Sequence, residues 1–138
     1  MRNFFALFLL LLIACNNDDA EAGLVGTWTA VSSQRSNCDD ASNDAEGALE
    51  CTDQTCEQVI FTDSSTFIIT RTEMGASLSE SGDLTISGDM LSVCEDDDGE
   101  IICFEYTFAL SENTLFLTSS EEDTGCTLRT EYTREVAN

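Results

Sequence analysis

The chain predicts an all-β protein, an eight-stranded antiparallel up-and-down barrel stabilised by disulfides. Three observations lead there. Apolar and polar residues alternate with a period of two in short runs rich in Thr, Ser, Val, Ile and Phe. Turn residues punctuate those runs at short intervals. Six of the seven cysteines fall at one end of the barrel that those runs would build.

The strands are expected at 25–34, 57–62, 66–72, 82–86, 90–95, 101–110, 114–119 and 126–135, with no helix. The segment 101–110 is the best marked. Ile102, Phe104, Tyr106, Phe108 and Leu110 share one face there. The other inward sets are Val59 with Phe61, Phe67 with Ile69, Leu84 with Ile86, Leu91 with Val93, Leu115 with Leu117, and Leu128 with Tyr132.

The connections sort by length. If neighbouring strands run up and down, one end holds the tight turns Asp63-Ser64-Ser65, Ser87-Gly88-Asp89 and Ser111-Glu112-Asn113. The other end holds the longer loops, expected at 35–56, 73–81, 96–100 and 120–125. A closed base and a loop-rich mouth follow.

Cys38, Cys51, Cys56, Cys94, Cys103 and Cys126 all lie at the mouth end. An even number of cysteines in a small exported domain reads as three disulfides. Cys94 and Cys103 flank Asp98-Gly99 symmetrically, and Val93 and Ile102 take the inward positions, so these two cysteines should pair on the outer surface. The remaining four allow three connectivities.

Charge narrows the function. Five Lys and Arg, all of them arginines, face 27 Asp and Glu, for a net charge of −22. Such a surface should not bind nucleic acid, whose phosphates call for Lys and Arg. The excess suits either a cationic partner or divalent metal, or a solvated acidic surface in salty surroundings. The chain contains no His, so the usual base of Ser and Cys hydrolases is missing. Phosphate-binding and dinucleotide glycine patterns are absent, and no carboxylate pair stands out. No enzyme activity, cofactor or metal site is therefore expected. The acidic stretch 95–100 does not satisfy the EF-hand pattern and reads as a solvated loop.

The N-terminus reads as a secretory signal: Arg2, an apolar run over 4–13, and the small residue Ala14. The run is too short to span a bilayer. With Cys15 directly after Ala14, the segment resembles the bacterial lipobox. That resemblance implies cleavage after residue 14 and a lipidated Cys15; an acidic tether is expected over 15–23 and the barrel domain over 24–138, where the all-β pattern begins. Asn16-Asn17-Asp18-Asp19 resembles the acidic export signal of some Bacteroidetes lipoproteins, though a simple linker fits as well. The expected location is the outer membrane, held by the lipid anchor on its periplasmic or cell-surface face.

The first strand opens Leu24-Val25-Gly26-Thr27-Trp28. The chain later carries a hairpin at Phe61-Thr62-Asp63-Ser64-Ser65-Thr66-Phe67 and ends near Tyr132-Thr133-Arg134. In these motifs it resembles the lipocalin-like domains of Bacteroidetes-type bacterial lipoproteins. The resemblance implies an eight-stranded barrel with a small-molecule site inside. It also implies that Arg134 stacks on Trp28 and that both, with Gly26, close the base. Six mature cysteines and a long first loop depart from the family.

Arg71 shares parity with Phe67 and Ile69 near the mouth. It is expected either to point inward and bind a ligand anion, or to turn outward or pair with Glu73 or Glu80. Candidate ligand contacts are Arg71, Phe67, Ile69, Phe104 and Tyr106. The function expected first is non-enzymatic binding of a small apolar or amphipathic ligand. The alternatives are a module whose acidic loops grip a basic protein and a structural envelope lipoprotein. A solid core of large aromatics would demote the first.

Overall fold

The computed structural model describes residues 23–135; segment 1–14, Cys15, the tether up to residue 22 and residues 136–138 lie outside the described residues. Nine strands follow in order: β1 (Gly26–Ser36), β2 (Ala45–Ala48), β3 (Thr55–Phe61), β4 (Thr66–Glu73), β5 (Ala76–Ser87), β6 (Met90–Asp97), β7 (Glu100–Ser111), β8 (Thr114–Ser120) and β9 (Thr127–Arg134). A 3-10 turn, Ala41–Asn43, precedes β2; the Asp40 carboxylate caps it by accepting from the Ser42 amide and hydroxyl.

All neighbouring strands pair antiparallel, and β1 also pairs with β9, from Trp28↔Arg134 to Ser36↔Thr127. That pairing closes β1 and β3–β9 into an eight-stranded up-and-down barrel. The short β2 lies beside the upper part of β1, along the edge that β3 serves lower down. Seven of the expected strands match the observed ones to within two residues at each end.

Two of the expected mouth loops are not loops. Strand β5 begins at Ala76 rather than at 82, so β4 and β5 form one long hairpin turning at Met74-Gly75. Both turn residues have positive φ, 52° and 79°, the mirrored geometry that matches strand twist. Residues 76–82 pair only with β4 and bury neither face, so no apolar alternation marks them. Likewise 96–100 is the tip of the β6–β7 hairpin, turning at Asp98-Gly99. The fully exposed strand β2, Ala-Glu-Gly-Ala, carries no pattern to betray it.

The barrel is laddered unevenly. β1 meets β3 only from Gly26↔Phe61 to Thr29↔Gln58. β5 meets β6 only from Asp83↔Cys94 to Ser87↔Met90. β7 meets β8 only from Thr107↔Thr118 to Ser111↔Thr114. All three short ladders lie at the base. Toward the mouth the wall therefore divides into three blades, β3-β4-β5, β6-β7 and β8-β9-β1-β2, separated by three seams.

The core sits at the base. Leu24, Trp28, Phe61, Leu91 and Leu115 are fully buried, joined by Ala30, Val59, Phe67, Leu84, Val93, Leu117 and Tyr132. Each large apolar side chain so buried contributes about 1.5–3 kcal/mol.

Candidate functional site

The closed end is built around Trp28. Its indole Nε1 donates to the Leu24 carbonyl at 2.7 Å, and the Arg134 guanidinium lies 4.4 Å from the ring centroid. Arg134 also donates to the carbonyls of Val25, at 2.8 Å, and Gly23. Gly26 has φ 140°, and a Cβ there would press on Arg134 at 3.1 Å. Trp28, Arg134 and Gly26 thus plug the base. They leave no room for a ligand there.

Above the plug lies a chamber of about 160 Å³, lined by Val59, Phe61, Phe67, Ile69, Leu91, Val93 and Leu117, with Tyr106, Leu128 and Tyr132 higher up. The large inward aromatics do not fill the barrel. Polar groups ring the upper wall. Arg71 faces inward and donates from Nε to Glu57 Oε2 at 3.0 Å, with Nη1 3.5 Å from Glu80 Oε2. The Tyr132 hydroxyl donates to the other Glu57 oxygen at 2.6 Å.

The register explains the network. Glu57 is the direct cross-strand partner of Arg71, and Glu80 sits diagonally from it, opposite Ile69. Tyr132 pairs with Ala30 on β1, whose small buried side chain lets the phenol reach past β1 to β3. The bond spans the β1–β3 seam just above the point where that ladder ends.

Electrostatics follow from these contacts. Burial opposes the Arg71 charge, but the hydrogen bond and proximity of Glu57, with Glu80, outweigh it and hold the guanidinium more firmly protonated than usual. Burial, then Glu57, push the Tyr132 phenol far above its ordinary range. Burial also raises Tyr106, helped by Glu57 and Glu95 and opposed by Arg71.

The seams open the chamber sideways. Between β5 and β6 a cleft is lined by Phe67, Ile69, Arg71, Glu80, Glu95 and Phe104. Between β7 and β8 a wider one is lined by Met90, Phe104, Glu105, Ser119 and Glu122, among others. A third, beside β1 and β3, reaches Leu49 and Glu73. Phe104 faces the interior but is 45% exposed because its blade stands apart. Leu78, directly opposite Arg71, is 65% exposed for the same reason.

The disulfides hold the mouth. Cys94 pairs with Cys103 across β6 and β7, Cys38 with Cys126, and Cys51 with Cys56. Cys38–Cys126 ties the first long loop to the last. The Asp39 amide donates to the Thr124 carbonyl beside it, and Arg35 pairs with Glu121 at 2.7 Å. That pairing, with a bond from Thr124, holds the Glu121 carboxyl below its usual range. Cys15 lies outside the described residues. No three His, Cys, Asp or Glu side chains converge as a metal would require among the described residues.

The structure thus brings Arg71, Phe67, Ile69, Phe104 and Tyr106 to one chamber and its β5–β6 cleft. Sequence reasoning missed Glu57 as the hub. Glu57 shares parity with Val59 and Phe61, and that signal places it on the inner face.

Fold and site together define a small closed β-barrel plugged at one end, with an apolar chamber open at the other. No family model matches the sequence, and no curated protein matches it. Among solved structures it is similar to a crystal structure of a mutant of the fluorescent protein UnaG, with a TM-score of 0.44 and 13% identity, over 84% of this chain and 99% of that one. The likeness is too distant to bear on ligand or activity. The barrel rests on its own strand pairing.

Proposed function

We propose that this protein is a non-enzymatic, lipocalin-like binding protein that takes a small apolar or amphipathic ligand into the barrel. The observation that carries the reading is the chamber itself: about 160 Å³ of space above a sealed base, apolar at the bottom and ringed by polar groups above. An apolar cavity of similar size is large enough to hold a single aromatic ring. The wide seams allow a longer ligand to extend outward. Placement of the protein at an outer membrane through a lipidated Cys15 belongs to the same proposal. It is supported by the lipobox-like N-terminus and by the position of Gly23, the first described residue, against Arg134 at the base.

The test is entry of a neutral apolar fluorophore, N-phenyl-1-naphthylamine. Its emission should rise and shift to the blue with saturable binding. Ile69→Trp, which fills the chamber wall from β4, should weaken binding at least tenfold while leaving the fold intact by circular dichroism. No uptake by the unmodified protein, either of this fluorophore or of probes of single-ring size, would refute the reading.

A further inference from the structure

We propose that the ligand is a cation: an amine or quaternary ammonium group on an apolar body the size of about one aromatic ring. This rests on the binding function proposed above and adds the ligand's charge and size. The cavity sets the size. Its apolar depth, from Phe61 and Leu91 up to Ile69 and Val93, takes a ring or a short alkyl chain with no polar partner at the bottom.

The charge comes from what surrounds the exit. Among the described residues, Arg71 is the one basic side chain lining the chamber and the three clefts. It is already matched by Glu57 and Glu80, so a ligand carboxylate would have to displace a carboxylate to reach it. An anion therefore gains little at Arg71 and meets a surplus of negative charge around it. Glu95 adds to that surplus from across the β5–β6 cleft, with no ion pair of its own among the described residues.

Two uncharged features at the same exit suit a cation as well. Phe104 stands half exposed beside Glu95 and offers a ring face of the kind ammonium groups pack on. The Tyr106 hydroxyl faces the chamber without a hydrogen-bond partner among the described residues, free to accept from an N–H donor. An apolar body in the chamber therefore places its headgroup among Glu80, Glu95, Phe104 and Tyr106.

Three probes of nearly equal shape test this by chemical-shift titration of the oxidised protein: phenethylammonium, 2-phenylethanol and 3-phenylpropionate. The expected order is phenethylammonium at least tenfold tighter than 2-phenylethanol, and 3-phenylpropionate weakest. Added salt should erode only the cation's advantage. Glu95→Gln should weaken phenethylammonium about threefold and leave 2-phenylethanol unchanged. Equal binding of all three, tighter binding of 3-phenylpropionate, or uptake of N-phenyl-1-naphthylamine with none of the three would overturn the cation assignment while the binding function stood. Failure of every probe, the fluorophore included, would remove both.

Discussion

A side chain at Gly82 has nowhere to go. A Cβ built there overlaps the Cys94 carbonyl oxygen and crowds the Phe67 ring. The position is where β5 passes from pairing with β4 alone to pairing with β6 as well, so the backbones must come close just below the cleft. Replacement should push β5 from β6 and disturb the chamber wall at Phe67. Gly82→Ala is expected to lower stability by about 2–4 kcal/mol, read from the urea midpoint. An unchanged midpoint would mean that β6 can shift freely. Ala30 works by the opposite logic. Its small side chain leaves a gap on β1 that the Tyr132–Glu57 bond crosses, and a larger residue would block the reach. Arg71, Glu57 and Tyr132 act together because each takes up polar groups that the others would leave bare in a half-buried wall.

Among the elements, the disulfides differ in what they restrain. Cys38–Cys126 closes 88 residues, Cys94–Cys103 nine and Cys51–Cys56 five. Chain entropy ranks the first at roughly 4–5 kcal/mol and the last at roughly 2. Cys38→Ser with Cys126→Ser should therefore lower the melting temperature more than Cys51→Ser with Cys56→Ser. The reverse order would show that the short loop, and not the long closure, carries the mouth. The same contrast bears on what can be read from sequence. Strands with one face in the core betray themselves, as β7 does through Ile102 to Leu110. The first half of β5 and all of β2 leave both faces in water, so the physics that writes alternation into a sequence is absent there. Cys94 and Cys103 are readable as a pair because a symmetric hairpin fixes their register. Cys38 and Cys126 are not, since their meeting depends on the closure of β1 on β9 and the path of a loop. In the site, Arg71 is legible by parity with Ile69. The choice between an open guanidinium and a paired one depends on β3 lying beside β4 in a register that brings Glu57 opposite.

At the scale of the whole molecule, the two tyrosines of the chain both face the chamber and both resist ionisation. The unfolded chain ionises tyrosine near 10. Between that value and the raised one, the folded state retains protons that the unfolded state has lost, so stability falls as pH rises. These groups should leave stability unchanged below about pH 9 and lower it above about pH 10. The slope from Tyr132 is at most about 1.4 kcal/mol per pH unit. With Tyr106 replaced by Phe, the tyrosinate absorbance of Tyr132 should appear only as the protein unfolds, and Tyr132→Phe should flatten the alkaline slope. In a Tyr106→Phe protein, tyrosinate forming near pH 10 while the fold persists would contradict the buried Tyr132–Glu57 contact.

The three seams stop short of the base. The barrel therefore has an unbroken hoop at its foot and separate leaves at its lip. Flexing the leaves changes the width of the opening without severing a rung of any ladder, with the Tyr132–Glu57 bond the tie across one seam. If the barrel binds as proposed, guests of different girth can pass one lip while the hoop beneath keeps its shape.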